Sequence, residues 1–123
     1  MSYNEEIIES LKFGLIDMFV LLLLSEEDMY GYRIRKEIEK RTNNVFLIKE
    51  GTLYGPLYRL HQRGFVTSES KFVNNRYRNY YHIEESGKEY LKFIISNYEE
   101  ITNASKAFME DSFAKQNKEK KSE

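Results

Sequence analysis

The spacing of apolar residues changes twice along this chain. Up to Arg63 they return every three or four positions, from Phe65 to Ile83 every second position, and beyond Gly87 every three or four again. A side chain comes back to the same side every 3.6 residues on a helix and every 2 on a strand. The chain therefore reads as helices, then a β-hairpin, then a helix. Its 123 residues suit one domain.

The first helix is predicted over residues 2–25, with Ser2 and Glu5 as a capping box and Ile7, Leu11, Leu15, Met18 and Leu22 as its stripe. Ile8, Phe19, Val20 and Leu23 widen the apolar surface, so this helix has more than one face to bury. A polar turn, 25–28, leads to a second helix over 30–42, with Tyr30, Ile34, Ile38 and the stem of Arg41 inward and Asn43-Asn44 at its end. Val45 to Ile48 reads as a short buried extended piece that pairs with the hairpin. A third helix is predicted over 50–63, with Leu53, Leu57 and Leu60 inward and Gly64 as its C′ residue.

The hairpin has strands at Phe65–Glu69 and Arg78–Ile83, joined by a loop of more than two residues around Asn74-Asn75. Alternation puts Asn79, Tyr81 and Ile83 on one side and Arg78, Tyr80 and His82 on the other. The final helix starts near Glu84 to Ser86, with Ser86 and Glu89 as a capping box, and carries Leu91, Ile94, Ile95, Tyr98, Ile101, Phe108 and Met109 on an a/d-like stripe. From residue 115 the composition predicts a disordered tail.

Helix, helix, helix, hairpin, long helix is the order of a winged helix-turn-helix with N-terminal and C-terminal dimerisation helices, mainly α in class. The expected divisions are a DNA-binding domain over 1–83, a dimerisation helix over 84–114 and the tail over 115–123.

Composition narrows the function. The chain has no Cys and only two His, and it lacks a phosphate-cradling loop, a dinucleotide fingerprint and a metalloprotease motif. An enzyme, a cofactor and a bound metal are not expected. The apolar run Met18–Leu24 falls far short of a bilayer span, and the acidic residues before it do not suit a signal peptide; a cytoplasmic location is expected. Net charge is −1, yet residues 30–81 hold eleven Lys or Arg against four Glu, net +7, while the rest of the chain carries −8. That asymmetry suits a basic binding module on an acidic scaffold, and equally suits ordinary solvated helix faces.

Several spaced motifs decide more. Tyr30-Gly31-Tyr32, Lys49-Glu50-Gly51-Thr52-Leu53-Tyr54, Leu57-Tyr58-Arg59-Leu60, Arg63-Gly64, Arg76-Tyr77-Arg78-Asn79-Tyr80-Tyr81, and then Gly87 and Leu91 stand in the order and spacing of one family. Across about residues 11–95 the chain resembles the PadR family of transcriptional regulators, in its branch with a short C-terminus. Three positions depart from the family pattern: Gly55 replaces the usual proline, with Pro56 following; His61 replaces a Glu; and Glu84 replaces a Thr cap.

The third helix is then the recognition helix, whose first turns reach base edges in the major groove. Candidate DNA contacts are Lys49, Thr52, Tyr54, Gly55, Tyr58, Arg59 and Arg63 there, and Lys71, Arg76 and Arg78 on the wing, with Arg76 at its tip. Tyr54 and Tyr58 could instead pack on the second helix, and Arg63 could satisfy helix-end carbonyls. Candidate dimer-interface residues are Leu11, Leu15, Met18, Leu91, Ile94, Ile95, Tyr98, Ile101 and Phe108. Two copies about a two-fold axis would reach adjacent turns of DNA, so a homodimer on a palindromic operator is expected. The resemblance implies a repressor that responds to small molecules or other signals, often through the dimer interface; a pocket there for a hydrophobic or aromatic effector would be lined by Phe13, Phe19, Tyr98 or Phe108, residues that equally suit plain core. A winged helix that binds only protein is the competing reading.

Overall fold

The computed structural model describes residues 3–12 and 14–122. Its elements are α1 (Tyr3–Leu11), α2 (Leu15–Glu26), β1 (Met29–Tyr30), α3 (Gly31–Arg41), α4 (Tyr54–Gln62), β2 (Val66–Val73), β3 (Arg76–Ile83) and α5 (Glu85–Ser122). The fold is mainly α, with one antiparallel sheet in the order β1-β3-β2.

The predicted first helix is two helices. Gly14 has φ +85°, a left-handed conformation that suits glycine and breaks the hydrogen-bond ladder. The break also resets the phase of the stripe. Met18, Val20, Leu21, Leu23 and Leu24 enter the core, whereas Leu22 is 38% exposed. The expected Ser2–Glu5 capping box lies outside the described residues.

Two helix ends follow the same geometry. At the end of α3 the Asn44 N–H donates to the Glu39 carbonyl at 2.8 Å and the Asn43 N–H to that of Lys40 at 3.2 Å. At the end of α4 the Phe65 N–H donates to Leu60 and the Gly64 N–H to His61, both at 3.0 Å. These are paired Schellman bonds, with left-handed Asn43 and Gly64 at C′. Arg41 lies at the surface rather than with its stem inward. It donates to both Glu26 carboxylate oxygens, at 2.6 and 2.9 Å, and to Glu37 at 3.0 Å.

The third strand of the sheet comes from elsewhere than expected. Met29 and Tyr30 pair with Tyr81 and Tyr80, while Val45–Ile48 forms no strand. That segment is tied to α3: the Glu39 carboxylate accepts the Ile48 N–H at 3.2 Å and Arg35 donates to the Ile48 carbonyl at 3.4 Å. Only Ile48 is fully buried, with Val45 and Leu47 exposed. The hairpin is longer and its turn tighter than its sequence suggests. Asn74 and Asn75 have φ +52° and +62°, the two left-handed positions of a type I′ turn, which asparagine tolerates. The register Val66↔Ile83, Ser68↔Tyr81, Ser70↔Asn79, Phe72↔Tyr77 defines one face of the wing.

A first compact unit extends to Leu91, past residue 83, because the opening turns of α5 belong to it. Phe65 is the hinge point. Its carbonyl accepts the Glu84 N–H at 2.9 Å, and its ring stacks on Tyr90 at 4.2 Å. The expected Ser86–Glu89 box does not form; the Ser86 hydroxyl donates to the Gly64 carbonyl at 2.9 Å. Glu84 instead accepts from the Thr67 hydroxyl at 2.8 Å.

Residues 92–122 form a second unit, a continuation of α5. Helix persists where composition predicts a disordered tail. Lys, Glu and Gln are good helix formers, and i,i+4 contacts support them: Lys115 pairs with Asp111 at 3.3 Å and Gln116 donates to Ser112 at 3.1 Å.

A Cβ at Gly87 would run into the Phe65 carbonyl oxygen and Ile83 Cγ1. Gly87→Ala is therefore expected to cost about 1–3 kcal/mol of stability, the usual cost of overpacking, measurable by urea denaturation. Wild-type stability in this variant would show that α5 does not need so close an approach.

Candidate nucleic-acid interface

The expected recognition helix, α4, begins later than its sequence suggests. Residues 49–53 form two successive turns, with the Thr52 N–H on the Lys49 carbonyl at 3.0 Å and the Tyr54 N–H on that of Gly51 at 3.3 Å. Gly51 has φ +92°, which prevents a regular helical start. Lys49 and Thr52 are exposed on this lead-in, outside the helix. Pro56 is buried at the third helical position, where its missing N–H would have had no intrahelical partner. The displaced proline is thus accommodated.

Pro56, Leu57 and Leu60 face the core. The helical period then puts Gly55, Tyr58 and Gln62 on the outward face, with Tyr54 and Arg59 on its flanks. Tyr54 and Tyr58 are each 65% exposed, so neither is used up in packing on α3. Gln62, also exposed, escaped the sequence reading although it stands seven positions after Gly55, two turns along the same face.

The sequence-identified cations fall into distinct environments. Arg59 donates to Asp17 of α2 at 3.4 Å. Arg63 lies 4.9 Å from the Phe65 ring and 4.8 Å from that of Tyr90, and donates to the Tyr90 hydroxyl at 3.2 Å. On the wing, Lys71 and Arg78 are register partners. Lys71 sits over Tyr80 at 5.2 Å and Arg78 over Tyr30 at 4.3 Å. Arg76 is exposed at the tip and has no ion pair or ring contact among the described residues. The basic excess of residues 30–81 is partly consumed within the fold: Arg33 pairs with Glu27, Lys36 with Glu39, and Arg41 with Glu26 and Glu37.

A groove of about 450 Å³ lies between the start of α3, the start of α4 and the wing. Tyr30, Tyr32, Tyr54, Arg76, Arg78, Asn79 and Tyr81 line it. Burial, and then the neighbouring Tyr54, push the Tyr81 phenol above its usual range; its hydroxyl can both donate and accept hydrogen bonds. Beyond this groove the wing carries an exposed, tilted pair, Phe72 and Tyr77, with ring centres 4.9 Å apart.

A tyrosine-bearing helix face beside a basic antiparallel wing is the arrangement of a winged-helix reader, and comparison with known proteins agrees. Residues 20–93 match the model of the transcriptional regulator PadR-like family. The chain belongs to this family. It is similar to an uncharacterised protein of Lysinibacillus sphaericus, 39% identical over 98 residues, covering 79% of this chain and 90% of that one. It is also similar to a transcriptional regulator of Clostridium thermocellum, with TM-score 0.75 and 33% identity, covering 80% of this chain and 97% of that one. The Bacillus subtilis PadR structure in complex with operator DNA shares the fold, with TM-score 0.59 and 22% identity over 66% of this chain and 47% of that one.

The expected dimer residues of this PadR-like chain divide by burial. Met18 and Leu91 are each 7% exposed, covered by the chain's own core. Leu11 is 74% exposed, Leu15 half-buried. Within the second unit, Ile94 and Ile95 are half-buried, and Tyr98, Ile101 and Phe108 are 40%, 65% and 78% exposed. Of the expected effector-pocket residues, Phe13 lies outside the described residues. Phe19 is half-buried, its ring edge-on to Phe46 at 4.9 Å. No described helix is long and apolar enough to cross a membrane.

The contacts of Arg63 give it a structural duty. Arg63→Ala is expected to cost roughly 0.5–1 kcal/mol through its lost ring contacts, whereas Arg76→Ala should change stability by less than about 0.5 kcal/mol. Urea unfolding of both variants checks this; equal stabilities would show that the rings do not hold Arg63.

Proposed function

We propose that this PadR-like regulator binds double-stranded DNA as a homodimer, with α4 in the major groove and the wing on the adjacent backbone or minor groove. The observation that carries this reading is the outward face of α4, where exposed Tyr54 and Tyr58 flank Gly55, with Arg76 free at the tip of the neighbouring wing. A side chain-free Gly55 lets the helix backbone come close to base edges. Lys49 and Arg76 serve phosphates, which position the protein, while Thr52, Tyr54, Tyr58 and Gln62 serve base edges, which specify it. Lys71, Arg78, Arg59 and Arg63 must leave or share their present partners to take part. The fold shared with Bacillus subtilis PadR, which was captured on operator DNA, supports the reading.

The dimer rests on the apolar stripe of the second unit, from half-buried Ile94 and Ile95 to exposed Tyr98, Ile101, Phe108, Met109 and Phe113. So long a row of Tyr, Ile, Phe and Met in water is a surface that a partner helix would cover. Two copies about a two-fold axis would read half-sites one DNA turn apart, about 34–36 Å, so the operator is palindromic. In regulatory terms the chain acts as a repressor in the cytoplasm, released by a hydrophobic or aromatic effector that meets the stripe at Tyr98 or Phe108. This last step rests on the family resemblance.

Fluorescence-anisotropy titration in a salt series tests the DNA reading. Affinity should fall linearly with log salt, and Arg76→Ala should lower that slope by about one unit on all sequences. Salt-independent binding, or none, would favour a winged helix that binds only protein. For the dimer, Ile101→Glu combined with Phe108→Glu should give monomers by light scattering with the helical circular dichroism retained; a surviving dimer would place the interface elsewhere.

A further inference from the structure

Asp17 stands in the first turn of α2, 42 positions before Arg59, yet the Arg59 guanidinium donates to its carboxylate at 3.4 Å. The two side chains differ in setting. Asp17 is the more sheltered, with 21% of its side chain exposed against 61% for Arg59. Burial raises the Asp17 carboxyl above its usual range, opposed by the charges of Arg59 and Arg63. The other Arg59 terminal nitrogen lies over Gly55, 3.5 Å from where a Cβ would be. The guanidinium is thus laid back along α4 toward its N-terminus, between a sheltered carboxylate and the bare outward face of the helix.

We propose, building on the DNA-binding reading above, that Asp17 is a specificity-determining restraint: it holds Arg59 on the protein and so weakens the pull of that arginine on the phosphates of any DNA. A free arginine beside the recognition helix would bind every duplex alike, because phosphate contacts carry no sequence information. An arginine already paired must give up a carboxylate before it takes a phosphate. That exchange is nearly balanced on a random duplex. It becomes favourable where matching base contacts seat α4 deeply. The restraint costs affinity and raises the ratio of specific to nonspecific binding.

The test compares wild type, Asp17→Asn, Arg59→Ala and the double variant, each on a mixed-sequence duplex and on a duplex enriched by wild type from a random pool, across a salt series. Asp17→Asn should bind the mixed-sequence duplex roughly two- to five-fold tighter, the scale of one partly exposed ion pair. Its salt slope should steepen by about one phosphate contact. The gain should be smaller on the enriched duplex and should vanish in the Arg59→Ala background. Unchanged affinity and slope, weaker binding by Asp17→Asn, or a gain that survives Arg59→Ala would each overturn the restraint while leaving the DNA reading intact. Wild type that binds neither duplex would overturn the DNA reading itself, and the restraint with it. Asp17→Ser is the second variant, read in the same way, should Asp17→Asn melt earlier than wild type.

Discussion

Phe65 is the residue on which the first unit turns. Its N–H closes α4 in a Schellman bond to Leu60, its carbonyl receives the Glu84 N–H, and its ring stacks on Tyr90. One residue thereby sets the end of α4, the base of the wing and the start of α5. Its two backbone contacts each need a glycine. Gly64 supplies the left-handed turn before it, and Gly87 leaves the space that a Cβ would close. The direction of the wing relative to α4 follows from this junction, because β2 begins at the very next residue.

Much of this junction is legible in the sequence, because it is local. Gly64 after a leucine stripe reads as a helix end, and the switch to alternation reads as a hairpin. What escapes is short or distant. β1 is only two residues long, too short for any period, so the more strand-like Val45–Ile48 draws the assignment that belongs to Met29–Tyr30. Gly14 is visible, but the apolar stripe runs through it and masks the break. Asn74-Asn75 looks like an ordinary polar loop because the left-handed tolerance of asparagine leaves no apolar mark. In the candidate interface, the exposure of Tyr54, Tyr58 and Arg76 is legible from the helical period and the wing tip. Gln62 was readable by the same period. The pairing of Arg59 with Asp17 was not, since nothing in the sequence joins positions 42 residues apart.

Charge counting leaves the excess of basic residues between Tyr30 and Tyr81 open to two readings for a related reason, because the engagement of each cation depends on distant partners. In the fold, α3 spends Arg33, Lys36 and Arg41 on neighbouring glutamates, the wing lays Lys71 and Arg78 on tyrosine rings, and α4 commits Arg59 and Arg63. Exposed pairs of this kind are each worth little, so DNA could capture these cations at modest cost. The cost is nonetheless paid on every duplex, whereas base contacts repay it only on some. On the proposed DNA-binding reading, cations that are mostly engaged mean weak nonspecific attraction, and discrimination falls to the uncharged outward face of α4, where Gly55, Tyr58 and Gln62 lie.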